Sequence, residues 1–380
     1  MPKLNDHGLG GGGKALGVPL SPLNSMEGYL TKNDGALRVI YGGVITTIPE
    51  EAYSNSGCAI DNDIYLIGMK NNNSICYKYN VETRIWTKLS DSPEEGAKAW
   101  SVPCGTDIYY GNANTGNIYK FDTLTNEHSF FLSGTGHNLK QSRATIDGDY
   151  IYIFGGNSSS TYQTYATRVD IVNKTYTRLM AIPTGMYNQS VISGGDGYIY
   201  LFGGMVSSTT AYKYSITDNT YTTIATVPFS CYGTMIVRSE NYIYLINMTS
   251  SSSAPIYAYD ILTNTYRSLG STVNARQYGV VGIIDDVIYM VGGGTTTTTY
   301  NSGDKLMIIK GELNDFSIRH LPQGVKVYTD GDVYSGKYIN FDGTAVFKSE
   351  TKIDKLNNVA ITPTDCEYAL VGSDYATIEG

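Results

Sequence analysis

Histidine is nearly absent from this chain: His7, His128, His137 and His320 are the only four in 380 residues. No two of them share a spacing that would grip one metal ion, so no metal or other cofactor is expected. The five cysteines (Cys58, Cys76, Cys104, Cys231, Cys366) are odd in number and scattered, with no Cys-x-x-Cys pair. That pattern excludes a zinc ribbon and a disulfide framework and leaves buried small hydrophobes. Charge is also scarce, at 16% of residues, and the net charge of -8 comes without any Lys/Arg run. A nucleic-acid partner, which needs a basic stripe, is excluded on that ground. No apolar stretch approaches the ~18 residues of a membrane span. The opening residues Met1 to His7 contain no apolar core of a secretory signal. The expectation is a chain made in the cytoplasm without an export signal and without membrane insertion.

One further absence disposes of a motif. Gly8, Gly13 and Lys14 have the skeleton of a phosphate-binding loop, but Ala15 stands where Ser or Thr is needed. The glycines read instead as a tether.

Tyrosine is what the chain has in abundance, 34 residues against nine phenylalanines. Six tyrosines anchor a recurring Ile-Tyr-aliphatic strand: Tyr65, Tyr109, Tyr152, Tyr200, Tyr244 and Tyr289, spaced 44, 43, 48, 44 and 45 residues apart. Behind five of them a second anchor follows: Asn80, Asp122, Asp170, Ser215 and Asp260. Six residues after each of these sits a ring: Trp86, His128, Tyr176, Tyr221 and Tyr266. A period of this size with strand-like content means repeated β-modules. Each module reads as four strands, with an Asp/Asn/Gly-rich hairpin between the first two.

The stretches Tyr198-Ile-Tyr-Leu-Phe-Gly-Gly204 and Tyr257-Ala-Tyr-Asp-Ile-Leu-Thr-Asn-Thr-Tyr266 resemble the kelch-repeat propellers. The resemblance covers about 54–321 and implies an all-β propeller of four-stranded blades. It departs from the pattern in using Tyr or His where kelch has Trp. It departs again in the second and fifth repeats, where Gly111-Asn112 and Asn247-Met248 replace the double glycine. Six blades are expected, near 54–95, 96–140, 141–185, 186–228, 229–273 and 274–321, within a propeller at 37–321. Seven would result if the strand pair read at Leu37 to Ile48 completed a blade with the C-terminal flank. Residues 1–36 read as a Gly/Pro-rich attachment arm, and 322–380 as a β-rich segment for ring closure or assembly.

The polar loops between the second and third strands carry the functional signal. They include Lys70-Asn-Asn-Asn-Ser74, Asn157-Ser-Ser-Ser-Thr-Tyr162, Thr249-Ser-Ser-Ser-Ser253 and Thr295-Thr-Thr-Thr-Thr-Tyr300. In an up-and-down blade these loops leave by one face, together with the connections between blades. Tyr162, Tyr165 and Tyr300 fall in such loops, while Trp100, Tyr187, Tyr232 and Tyr278 fall near the connections. Arg143 and Arg276 precede first strands and are placed at the channel mouth. Aromatic rings amid hydroxyls and amides make an adaptable binding face, suited to sugars.

The leading expectation is a non-enzymatic binding module of a virion or phage-tail-like particle. Its arm would attach to other particle proteins, multiple copies would add avidity, and the propeller would recognise a cell-surface glycan or protein. One alternative is an intracellular kelch scaffold for another protein. Another is a sugar-acid isomerase, for which Arg143, Arg276 and Glu240 are the raw material.

Overall fold

The computed structural model describes residues 14–15, 37–50, 53–70, 73–93, 98–133, 139–158, 161–204, 209–246, 255–271, 279–293 and 302–309, and five short strands after residue 327. Among them every regular element is a strand. Six sheets have four strands each. Blade 1 runs through Tyr53–Ile60, Asp63–Lys70, Asn73–Asn80 and Trp86–Lys88. Blade 2 comprises Lys98–Cys104, Asp107–Asn112, Ile118–Asp122 and Glu127–Leu132. Blade 3 comprises Arg143–Asp147, Tyr150–Phe154, Ala166–Asp170 and Thr175–Arg178. Blade 4 comprises Ser190–Ser193, Tyr198–Phe202, Ala211–Ser215 and Thr220–Thr223. Blade 5 comprises Met235–Ser239, Tyr242–Ile246, Pro255–Asp260 and Thr265–Ser271. In each, consecutive strands pair antiparallel.

The sixth sheet has the order Val280–Ile284, Val287–Val291, Gly303–Ile309, Arg38–Ile45. Its outermost strand therefore comes from before the first repeat. The stretch read from sequence as a strand pair at Leu37 to Ile48 is one strand, Arg38–Ile45. The segment 316–321 inside the expected last blade lies outside the described residues.

The first strands of blades 1 to 6 touch in sequence, and that of blade 6 touches that of blade 1, so the ring is closed. The fold is a six-bladed β-propeller. Blades 1 to 5 and the two inner strands of blade 6 lie within one compact unit, Ile45–Asp304. A second unit, 1–44 with 305–380, contains the short ladders Lys14–Ala15 with Tyr328–Thr329, Tyr338–Phe341 with Val346–Ser349, and Tyr368–Val371 with Asp374–Thr377.

The anchors now have physical roles. All six anchor tyrosines are buried, because a second strand with neighbours on both faces must be apolar on both. Between blades 3 and 4, Tyr152 and Phe154 pack on Val191, Ile199, Leu201 and Tyr214. Each such fully buried side chain is worth about 1.5–3 kcal/mol. The second anchor caps the turn into the fourth strand. Asp122 Oδ1 accepts from the Leu124 and Thr125 N–H groups at 3.0 and 3.1 Å, and Asp260 Oδ1 does the same for Leu262 and Thr263. Four residues on, the chain turns through a left-handed residue: Arg84, Asn126, Lys174, Asn219 and Asn264 have φ between 53° and 62°. Asn tolerates that conformation better than most residues.

Candidate functional site

The glycine pair ending the second strand is where the site begins. In blade 3, Gly155 has φ +64°, and a Cβ there would stand 2.4 Å from the Met186 carbonyl oxygen. No side chain fits, so the connection to blade 4 runs directly against the loop between the second and third strands. Backbone bonds then sew the two together: Gly156 N–H to Met186 O (2.8 Å), Met186 N–H to Gln163 O (3.1 Å) and Gln163 N–H to Gly156 O (2.9 Å). The loop itself is a small hairpin, Asn157–Ser158 with Thr161–Tyr162. Asn157 N–H donates to Lys140 O at 2.8 Å and its Nδ2 to Gln141 Oε1 at 3.1 Å, tying the hairpin to the preceding connection.

Inside this shelf lies a collar. Gln141, Asn188 and Gly233 each stand two residues before a first strand, in blades 3, 4 and 5, with φ of 58°, 53° and 62°. The Asn188 N–H donates to Gln141 O and the Gly233 N–H to Asn188 O, both at 2.9 Å. Three successive connections are thus linked main chain to main chain around the channel mouth.

Side chains complete the link. Arg143 Nη1 donates to the Ala99 and Ser142 carbonyls at 3.0 Å, and Nη2 to Asn188 Oδ1 at 3.1 Å. Asn188, 1% exposed, donates from Nδ2 to the Tyr232 hydroxyl at 3.1 Å. Tyr232 meets Tyr187 edge-on at 6.1 Å, and Tyr187 stacks on Tyr162 at 4.7 Å and 10°. Burial, then the hydrogen bond with Tyr162, pushes the Tyr187 phenol up to about 12. It stays a neutral hydrogen-bonding group throughout the physiological range. Tyr162 is 41% exposed at the end of the stack.

Beside the collar a cavity of about 390 Å³ opens along the axis. It is lined by the beginnings of all six first strands, among them Ser56, Trp100, Arg143, Ser190, Met235 and Val280. Among the described residues that line it, Lys140 and Arg143 are the charged ones.

The structure thus brings together Arg143, Tyr162, Tyr187 and Tyr232. Trp100 lines the cavity but is buried, its indole lying across the sheet against Gly111, where a Cβ would meet the ring at 2.6 Å. This packing explains why the second blade keeps one glycine and not two. Its neighbour Asn112 caps the loop with its own side chain, accepting from Asn114 N–H at 2.8 Å. Tyr165 is exposed, with the Arg178 guanidinium 4.5 Å above its ring. Arg276, Tyr278 and Tyr300 lie outside the described residues. Glu240 follows the first strand of blade 5, whereas Arg143 begins that of blade 3, so the two stand toward opposite ends of the channel. Asn188 was not legible in the sequence. Its one signal is position, two residues before a first strand and in phase with Gln141 and Gly233.

No family model and no curated protein matches the chain. Among solved structures, YjhT resembles it with a TM-score of 0.59 at 14% identity, over 70% of this chain and 99% of YjhT. At that identity the likeness is one of fold.

Proposed function

We propose that this propeller is a recognition module that reads a cell-surface glycan with the face bearing the shelf and collar. It does so as a component of a phage or phage-tail-like particle. The observation that carries the reading is the bonded chain from Arg143 through Asn188 to Tyr232, continued by ring contacts to Tyr162. Rigid tyrosines lose little entropy on binding, and the main-chain bonds beneath them fix their positions beforehand. The double glycines and capped turns also favour blades of the kelch type.

Attachment is assigned to the glycine-rich residues 1–36 and to the C-terminal flank, on composition. Many copies on one particle would make individually weak sites effective.

The test begins with localisation. High-mass material from induced source cells is fractionated on a gradient and probed for this chain. Co-sedimentation with tail-like particles, lost when residues 1–35 are deleted, is the expected result. A chain found only as a free cytosolic species would sink the particle reading in favour of an intracellular scaffold. The isolated full chain, fluorescently labelled, is expected to bind bacterial envelopes.

A further inference from the structure

The recognition reading above leaves open which part of the face meets the ligand. We infer that the outer face of the Tyr162 ring is a platform for one pyranose ring of a neutral glycan. The inference rests on that reading and makes it specific.

Tyr162 is covered on one side by Tyr187, nearly parallel at 4.7 Å, yet remains 41% exposed. The stack therefore ends in a ring face open to solvent. Everything beneath it is fixed. Tyr187 is buried, Tyr232 closes on its edge, and the Tyr232 hydroxyl is held by Asn188 in the collar. The Tyr162 backbone belongs to the hairpin whose partner residue Asn157 is bonded to the neighbouring connection. An immobile aromatic face backed by a second ring has little left to order when a flat apolar surface settles on it.

The surroundings choose among possible occupants. A protein partner is gripped chiefly by a buried apolar centre with aliphatic and aromatic anchors. Of the exposed large aliphatic residues, the four most exposed, Ile85, Leu124, Val172 and Leu262, lie instead around the turns between third and fourth strands, at the other end of the blades. Around Tyr162 the shelf offers hydroxyls and amides, including the exposed Thr161 and the half-buried Ser158 and Asn157. The chain carries a net charge of -8, which disfavours a nucleobase on a phosphate backbone. A pyranose supplies what remains: an apolar C–H face for the ring and hydroxyls for the polar rim.

Saturation-transfer NMR on the full chain, with methyl glycosides of glucose, galactose, mannose and N-acetylglucosamine as probes, tests the platform. At least one glycoside is expected to receive saturation, strongest at the protons of one ring face. Tyr162→Ala is expected to weaken its binding tenfold or more, and Tyr162→Phe, which keeps the ring, by no more than twofold. Tyr176→Ala removes an equally exposed tyrosine on the outer strand of the same blade and leaves binding unchanged. Circular dichroism confirms that each variant is folded. No signal from any glycoside, or equal binding by Tyr162→Ala, overturns the platform. Envelope labelling separates the two failures. If Tyr162→Ala labels envelopes like the parent, the recognition face stands and the platform falls; if the parent labels none, both fall. Labelling abolished by protease treatment of the envelopes would replace the glycan with a protein partner and overturn the inference.

Discussion

Asn219 holds Met180 across the boundary between blades 3 and 4. The Met180 N–H donates to Asn219 Oδ1 at 2.8 Å, and the Met180 carbonyl accepts from the Tyr221 hydroxyl at 3.1 Å. One residue of the preceding blade is thus gripped at both backbone groups by a turn and a ring two residues apart. The same clasp joins blades 4 and 5, where Ala225 is bonded to Asn264 and Tyr266, and blades 1 and 2, where Ser90 is bonded to Asn126 and His128. Trp86 plays the ring's part at blade 1, donating from Nε1 to the Thr46 carbonyl at 2.8 Å.

The clasp predicts an order of stabilities among three single variants. Tyr266→Phe is expected to cost about 1 kcal/mol, the net worth of one hydrogen bond, and Asn264→Gly about twice that, because Asn264 Oδ1 accepts from both the Ala225 N–H and the buried Tyr259 hydroxyl. Asn264→Ala should cost more than Asn264→Gly, because φ of 55° adds strain for any residue with a Cβ. Urea unfolding measures all three. An Ala variant as stable as the Gly variant would remove strain from the account.

Acid should weaken the turns. Hydrogen bonds from the Thr125 and Leu124 N–H groups hold the Asp122 carboxyl below its ordinary range, and those from Asn173 do so for Asp170. A depressed folded pKa contributes stability above the unfolded value, about 3.9, which is lost as pH falls through the folded one. Asp122→Asn with Asp170→Asn keeps the acceptors and removes the titration, as Asn80 already does in blade 1. The acid limb of a thermal-melting curve against pH is expected to be shallower for the double variant.

Packing makes the third prediction. Gly111→Ala would press a methyl group into the Trp100 indole, an overpacking expected to cost about 1–3 kcal/mol. Adding Trp100→Phe, which shortens the ring, should recover part of that loss. Additive costs by chemical denaturation would show that the two sites do not touch.

Thiol chemistry makes the fourth. Burial pushes the Cys58 thiol up, Cys76 to about 12 and Cys231 to about 11. All three should resist iodoacetamide at pH 8 in the folded chain and react on unfolding, because the thiolate is the nucleophile. Mass spectrometry of native-labelled protein reads this directly; modification of Cys231 before unfolding would contradict its burial.

The repeats were legible because their anchors answer to local rules. A buried second strand needs apolar residues on both faces, and the turn into the fourth strand needs a side-chain cap. Spacing alone exposes both. The ring six residues after the cap was visible as a recurrence, but its partner was not, since Tyr221 bonds a carbonyl 41 residues earlier. Asn188 was hidden for a related reason: one amide in a polar connection has no pattern until its neighbours in other blades are in place. Trp100, expected near the binding face, is drawn into the sheet by the slot that Gly111 leaves. The outer strand of blade 6 depends on ring closure, which no window of sequence shows.

The collar through Gln141, Asn188 and Gly233 divides labour within the proposed binding face. Its bonds run main chain to main chain, so they survive most changes of side chain in the hairpins around them. Substitutions can accumulate in the loop containing Tyr162 without unseating the neighbouring blades, and under the proposed function they would retune the ligand. A lineage under pressure to follow a changing target could therefore replace the reading surface while inheriting the frame that aims it.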